Sequence, residues 1–254
     1  MTEQERYFFD IKGYLVLRNA LPADHVAALN AKIDRIEQRP QDELPALAHL
    51  GGGEGDDTRI NNLAALGGPF AQLIDLEPVV SLAREMMGCR IRLNHAYSIQ
   101  RYRTDDRTHF HLGNTPVTPA CQFRVHDGKF YSTLVKAVYA LTDQDVEDGC
   151  FSVIAGSHKS NFPNPYGNDP EDIPWREPVA SRAGDAIIFT EALTHGSEVN
   201  RSGKPRRSLY YAYSPCWATD WKGGFATSPE LRAGLTERQR ALLEVFPMGT
   251  SDSE

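Results

Sequence analysis

Residues 108–116 read THFHLGNTP, and two histidines, His109 and His111, stand in alternation within them. Alternate side chains of a strand or strand end point to one face, so the pair has a spacing that suits metal ligands. Two places after His111 such a pair calls for a carboxylate, and the chain has Gly113 instead. A third histidine, His195, follows 84 residues after His111, in EALTHGSEV just behind the strand-like GDAIIF. Two arginines, Arg206 and Arg207, come on the next strand-like segment. Imidazoles bind transition metals, and the planar guanidinium fork binds a carboxylate at two points. Any one of these histidines, taken alone, is more often a hydrogen-bonded structural residue; their order along β segments is what points to a site.

The elements that must position them can be read from periodicity. Glu3–Asp10 predicts a short helix and Tyr14–Leu17 a strand; Pro22 opens a helix whose Val26, Leu29, Ile33 and Ile36 form a buried stripe. The stretch PQDELPALAHLGGGEGDD is polar and Gly-rich, and residues 39–58 are expected to be a mobile loop or lid. Residues 69–87 read as helix, ending at Gly88. From residue 90 the texture changes: Arg90–Arg103, Lys129–Leu141, Cys150–Ala155, Ala183–Phe189 and Ser208–Tyr213 are rich in β-branched and aromatic residues between turn clusters. Late strands without intervening helices predict an antiparallel sandwich or barrel. One helix over Pro229–Phe246 closes a single domain, 1–254, with 248–254 a disordered tail.

Composition narrows the function classes. The chain has 254 residues and a net charge of −7, which disfavours a general nucleic-acid surface. No window approaches 18 uninterrupted apolar residues, so no membrane span is expected, and MTEQERYFFDIKGYLVL has no basic n-region of a signal peptide. Four scattered cysteines, Cys89, Cys121, Cys150 and Cys216, fit reduced residues of a cytoplasmic protein.

Four segments carry a resemblance to a known family: FFDIKGYLVLRNALPADHVAALNAKI, DGCFSVIAGSHKSNFP, AGDAIIFTEALTHGS and PRRSLYYAYSP. In this order they resemble the phytanoyl-CoA dioxygenase family of iron(II)- and 2-oxoglutarate-dependent oxygenases. The resemblance implies a mostly β fold, a double-stranded β-helix (jelly roll, cupin-like) with flanking α-helices. It further implies iron(II), 2-oxoglutarate and O2, with His111 as the proximal and His195 as the distal metal ligand. An arginine eleven places after the distal histidine usually pairs with the far carboxylate of 2-oxoglutarate, which gives Arg206, with Arg207 as the alternative.

The family's Asp two places after the proximal histidine is Gly113 here. Three readings follow. His109 could be proximal instead, giving His-x-His; Glu191, four before His195, could swing in; or an anion could fill the place. Losing a carboxylate opens a coordination position and removes a negative charge, and a halide restores both. Radical halogenases of this superfamily have Gly or Ala at this position and bind chloride there. The favoured expectation is therefore a halogenase, with hydroxylase or non-catalytic binding protein as alternatives and with His109 and Glu191 beside the ligands.

The chain looks similar to nucleotide chlorinases that act on the sugar of a purine deoxynucleotide, so a nucleotide is the expected substrate; a carrier protein is not expected. Arg101, Arg103, Arg107 and Arg124 could clamp a phosphate, and Tyr102, Phe110, Phe123 and Phe130 offer faces for a base, though any one of them, taken alone, is more often a surface charge or a core ring. His158 and Lys159 of SHKSN are expected to be structural or at the rim.

Overall fold

The computed structural model describes residues 1–38, 49–52, 58–111, 121–162, 164–219 and 227–248. The chain opens with α1 (Glu3–Lys12), held at its start by a capping box of Thr2 and Glu5. Gly13 ends it in the left-handed conformation, and a Cβ there would stand 2.6 Å from Nδ1 of His158, so glycine serves both the turn and the close approach. Strand β1 (Tyr14–Leu17) and helix α2 (Ala23–Glu37) follow, with Val26, Leu29, Ile33 and Ile36 buried as the stripe predicts.

The 39–58 segment departs from its expectation. Residues 39–48 and 53–57 lie outside the described residues, but β2 (His49–Gly52) pairs with β3 (Thr58–Asn61) as an antiparallel hairpin. The helix expected over 69–87 is also corrected: Gly68–Leu73 is a 3₁₀ segment, and α3 covers only Val79–Met87. Pro78 disfavours a helical residue before it, so the α-helix begins after it.

The remaining strands are β4 (Ile91–Arg101), β5 (Phe123–His126), β6 (Lys129–Ser132), β7 (Val135–Ala140), β8 (Phe151–Val153), β9 (Glu177–Val179), β10 (Ala186–Thr190), β11 (His195–Ser197) and β12 (Arg206–Pro215). The single strand expected over Lys129–Leu141 is thus two. The expected C-terminal helix is likewise two short ones, α4 (Pro229–Ala233) and α5 (Glu237–Ala241), divided at Gly234 and separately capped by Ser228 and Thr236. Of the expected tail, 249–254 lie outside the described residues.

Among the described residues seven strands make the large sheet, in the order β1-β10-β7-β12-β4-β3-β2, three make a small one, β11-β8-β9, and β5 pairs with β6. All pairings are antiparallel. The period-2 alternation of side chains decides what each face does. Val138, Ile187, Phe189 and Tyr210 pack against Phe151, Val153 and Val179 of the small sheet, while Ala137, Ile188, Leu209 and Tyr211 pack under α2 and α3. This is a mostly β jelly roll with helices outside, as expected. Burial of each large apolar side chain contributes roughly 1.5–3 kcal/mol, so the helical layer clamps the large sheet and leaves its other face to form a cavity. The four cysteines are free. Among the described residues no helix is long and apolar enough to cross a membrane.

Candidate metal and carboxylate site

The two best histidine candidates come together. Residues 108–111 run antiparallel to β11: Ser197 N–H donates to the Thr108 carbonyl (3.0 Å), and His111 and His195 exchange backbone hydrogen bonds of 2.9 and 3.2 Å. Their rings are 4.4 Å apart between centroids. The close approach needs Gly196, where a Cβ would lie 2.6 Å from the Thr108 carbonyl oxygen and 2.9 Å from the Phe110 ring. His109 lines the same cavity as His111. It sits further out, half exposed, with Nε2 3.6 Å from Asp169.

Each ligand candidate has its tautomer set by backbone. Nδ1 of His111 bonds the His109 carbonyl (2.8 Å), and Nδ1 of His195 bonds the Leu193 carbonyl (2.7 Å). A carbonyl only accepts, so Nδ1 carries the proton in both rings and Nε2 keeps its lone pair. Burial pulls the proton affinity of His195 well below the ordinary histidine value, helped by His111 and Lys136. Burial lowers His111 as well, against the His109 carbonyl and Glu191. Two neutral imidazoles with free Nε2 lone pairs are what a transition metal requires.

Glu191 is the acid nearest this pair. It is buried in an ion pair with Lys136 (2.7 Å), its Oε1 is 4.0 Å from Nε2 of His195, and its Oε2 has no hydrogen-bond partner. Gly113 lies outside the described residues, as do all of 112–120. Among the described residues no group of three His, Cys, Asp or Glu side chains is placed to hold a metal ion.

Arg206 and Arg207 diverge, as neighbours on a strand must. Arg206 is buried on the wall of a cavity of about 750 Å³ that also contains both histidines. Its Nε donates to Gln144 (3.1 Å), and among the described residues no carboxylate pairs with it. Burial lowers its proton affinity, and Arg101, directly opposite on β4, adds to that effect. A buried guanidinium of this kind is uncompensated until an anion arrives. Arg207 points to the helical side and bonds Asp34 (2.7 Å), Asn30 and Tyr102.

The other candidates sort by place. Arg101 lines the cavity and pairs with Asp106 (3.0 Å); Arg107 lines it and pairs with Asp169 (2.8 Å); Arg103 lines it too. Phe110 is buried behind Gly196, not in the cavity wall. Arg124 is on β5 at a separate cavity of about 340 Å³ with Tyr131 and Trp217, so it is no part of a clamp around the histidines. Tyr102 donates to Glu37, and Phe123 and Phe130 pack on Phe9 in the core, which removes them as stacking faces. His158 is structural: it is buried against Gly13 and Phe123, its Nε2 3.1 Å from the Asp10 carbonyl. Lys159 pairs with Asp10 (3.5 Å).

Sequence reasoning missed Arg59, Tyr97, Lys136 and Tyr210. Tyr97 stacks on Tyr210 (4.7 Å) in the cavity wall, and Arg59 lies over Tyr97 (4.1 Å). Only Lys136 carried a signal, as a lone charge inside the apolar run LVKAVYAL.

Comparison with known proteins identifies the family and the fold. A family model described as phytanoyl-CoA dioxygenase (PhyH) matches residues 9–208. Dioxygenase olcK of Penicillium canescens is 35% identical over 86 residues, 34% of this chain and 27% of olcK, so the chain spans about a quarter of that relative's length. Ectoine dioxygenase of Nocardia farcinica is 23% identical over 235 residues, 81% of this chain and 75% of its own. The crystal structure of HygX from Streptomyces hygroscopicus, with nickel and 2-oxoglutarate bound, matches at a TM-score of 0.78 and 25% identity, covering 91% of this chain and 94% of HygX.

Proposed function

The chain belongs to the phytanoyl-CoA dioxygenase family, and on that premise we propose that it is an iron(II)- and 2-oxoglutarate-dependent halogenase. In this reading it replaces hydrogen by chlorine at an unactivated carbon of a free small molecule. The observation that carries it is a metal face with two histidines and no committed carboxylate. His111 and His195 present their Nε2 atoms, His111-Leu112-Gly113 offers no acid, and Glu191 is tied to Lys136. Bound there, iron(II) with 2-oxoglutarate and O2 supplies an oxidant able to take a hydrogen atom from carbon.

The chain's own residues do the rest. His111 and His195 hold the metal as neutral ligands, and their carbonyl partners fix the ring directions. Arg206 takes the far carboxylate of 2-oxoglutarate and so orients its keto-acid end toward the histidines. Two neutral imidazoles add no negative charge beside a divalent metal, which favours an anion such as chloride at the place left by Gly113. The substrate proposed is a nucleotide, with the sugar of a purine deoxynucleotide as the first candidate; no carrier protein is needed for it.

Hydroxylation is the second reading, and Glu191 favours it: its Oε1 lies 4.0 Å from Nε2 of His195 and its buried Oε2 has no hydrogen-bond partner. One experiment separates the two. The protein is reconstituted without oxygen with iron(II), 2-oxoglutarate, chloride and 2′-deoxyadenosine monophosphate, exposed to oxygen, and its products are weighed by mass spectrometry. The chlorine isotope pattern is expected; hydroxylated product alone at every chloride concentration sinks the halogenase reading. In Gly113→Asp the new carboxylate competes with chloride, so chlorination is expected to fall at least tenfold, and chlorination at the parent rate overturns the vacant-place argument. If Glu191 is a ligand, Glu191→Ala abolishes activity, and so does Glu191→Gln, which keeps an acceptor for the buried Lys136 and so separates lost ligation from a lost ion pair.

A further inference from the structure

The cavity wall carries more positive charge than 2-oxoglutarate can use. Five of its arginines are Arg59, Arg101, Arg103, Arg107 and Arg206. Arg101 is neutralised by Asp106 and Arg107 by Asp169, and Arg206 is the place for the co-substrate carboxylate. Arg59 has no such assignment. It stands on β3 opposite Ile99 of β4, with its guanidinium carbon 4.1 Å from the centre of the Tyr97 ring. Its Nε is shielded from solvent and has no hydrogen-bond partner. Among the described residues no carboxylate pairs with it.

We propose that Arg59 is a substrate-recognition residue, which binds a carboxylate or phosphate group carried by the substrate. This rests on the reading of the cavity as the site of a 2-oxoglutarate-dependent enzyme. Arg59 is half-buried, and stacking on Tyr97 fixes its plane without neutralising its charge. Stacking also leaves the N–H edge of the guanidinium free, and that edge is the part that grips a carboxylate or phosphate at two points. Tyr97 is itself held from behind by Tyr210 (4.7 Å), so the guanidinium rests on a fixed platform rather than on a mobile ring.

The co-substrate does not meet this need. Its two carboxylates go to the metal and to Arg206, and Arg59 lies two strands away from Arg206 in the order β12-β4-β3. At the usual strand spacing their backbones are roughly 10 Å apart. The anion for Arg59 is therefore part of the other reactant.

The test uses the whole protein loaded with nickel(II) and 2-oxoglutarate, which binds without turnover. Inorganic phosphate, acetate, 2′-deoxyadenosine monophosphate and uncharged 2′-deoxyadenosine are titrated by calorimetry into the parent and into Arg59→Gln. At least one of phosphate and acetate is expected to bind the parent saturably. Arg59→Gln is expected to weaken it roughly tenfold to a hundredfold, the worth of a charged hydrogen-bonded pair, while 2-oxoglutarate affinity changes less than twofold. Binding of phosphate alone assigns a phosphate monoester, and then the nucleotide is preferred over its nucleoside. Binding of acetate alone assigns a carboxylate. If neither probe binds the parent, if Arg59→Gln binds as tightly, or if that variant loses 2-oxoglutarate as an Arg206 variant does, the proposal is overturned. Arg59→Lys, which keeps the charge and loses the fork, is expected to retain part of the anion affinity and serves if the glutamine variant does not fold. Because no turnover is scored, a hydroxylase would leave this result untouched. Failure of the parent to bind 2-oxoglutarate would count against the enzyme reading itself.

Discussion

Arg206 and Arg207 have the same side chain and adjacent positions, yet the structure gives them opposite work. Arg206 is a buried cation held by one amide, and Arg207 ties β12 to α2 through Asp34 and Asn30. We expect Arg206→Lys to raise the Kd for 2-oxoglutarate about tenfold to a hundredfold, because an ammonium cannot reproduce the fork, with little change in melting temperature. Arg207→Gln should do the reverse: unchanged 2-oxoglutarate binding and a loss of about 1–3 kcal/mol of stability in urea unfolding. The opposite pattern would exchange the two roles. At this scale the sequence was most informative where chemistry restricts residue type. His111, His195 and Arg206 stand out as candidates because few side chains bind metal or carboxylate, and strand alternation separates Arg206 from its neighbour. Arg59 was hidden because a charged residue beside a Gly-rich stretch reads as solvated surface. Only the pairing of β3 with β4 carries it over Tyr97.

Among the elements, the lean of residues 108–111 on β11 is the feature that brings two distant histidines together. It depends on Gly196, whose missing Cβ leaves room for the Thr108 carbonyl and the Phe110 ring. In Gly196→Ala the segment must move or the strand must bend, which costs about 1–3 kcal/mol. Nickel affinity, read by calorimetry, is expected to fall tenfold or more; parent-like nickel binding in this variant would show that the bridge does not set the ligand spacing. Strand and helix identities were largely legible from periodicity, since β1, α2 and most core strands follow their apolar patterns. Lengths were less so. Pro78 and Gly234 cut two helical patterns short: proline restricts the residue before it, and glycine's backbone freedom makes it a poor interior helix residue. The hairpin of β2 and β3 was missed because its stability comes from lying against β4, a contact that no local pattern encodes.

Over the whole molecule, buried neutral histidines link stability to acid. Burial, with the Lys159 charge, pushes His158 down to about 4, and burial, with Lys136, pushes His95 down to about 3. An unfolded chain protonates histidine at about 6.5. Above that pH both states are neutral at these positions and the stability is complete. As pH falls from about 6.5 toward about 4 the unfolded chain takes up protons that folded His158 refuses, so stability is lost. His158 alone accounts for roughly 3 kcal/mol over that window. Urea midpoints at pH 7.5 and 4.5 should therefore differ, and His158→Gln should narrow the gap; an equal gap in the variant would remove His158 as a cause. The jelly roll as a class was readable from the order of strand-like segments, but not the order of strands in its sheets, which tertiary packing decides. That order has a consequence for biosynthesis. The large sheet sets β1, formed from residues 14–17, beside β10, and sets β12 between β7 and β4. A nascent chain that has emerged as far as His111 still lacks His195 and the strand of Arg206. Contacts this far apart in sequence form late and together. On the proposed reading, metal capture would thus wait for a nearly complete polypeptide, because a half-made chain has no paired histidines to offer iron.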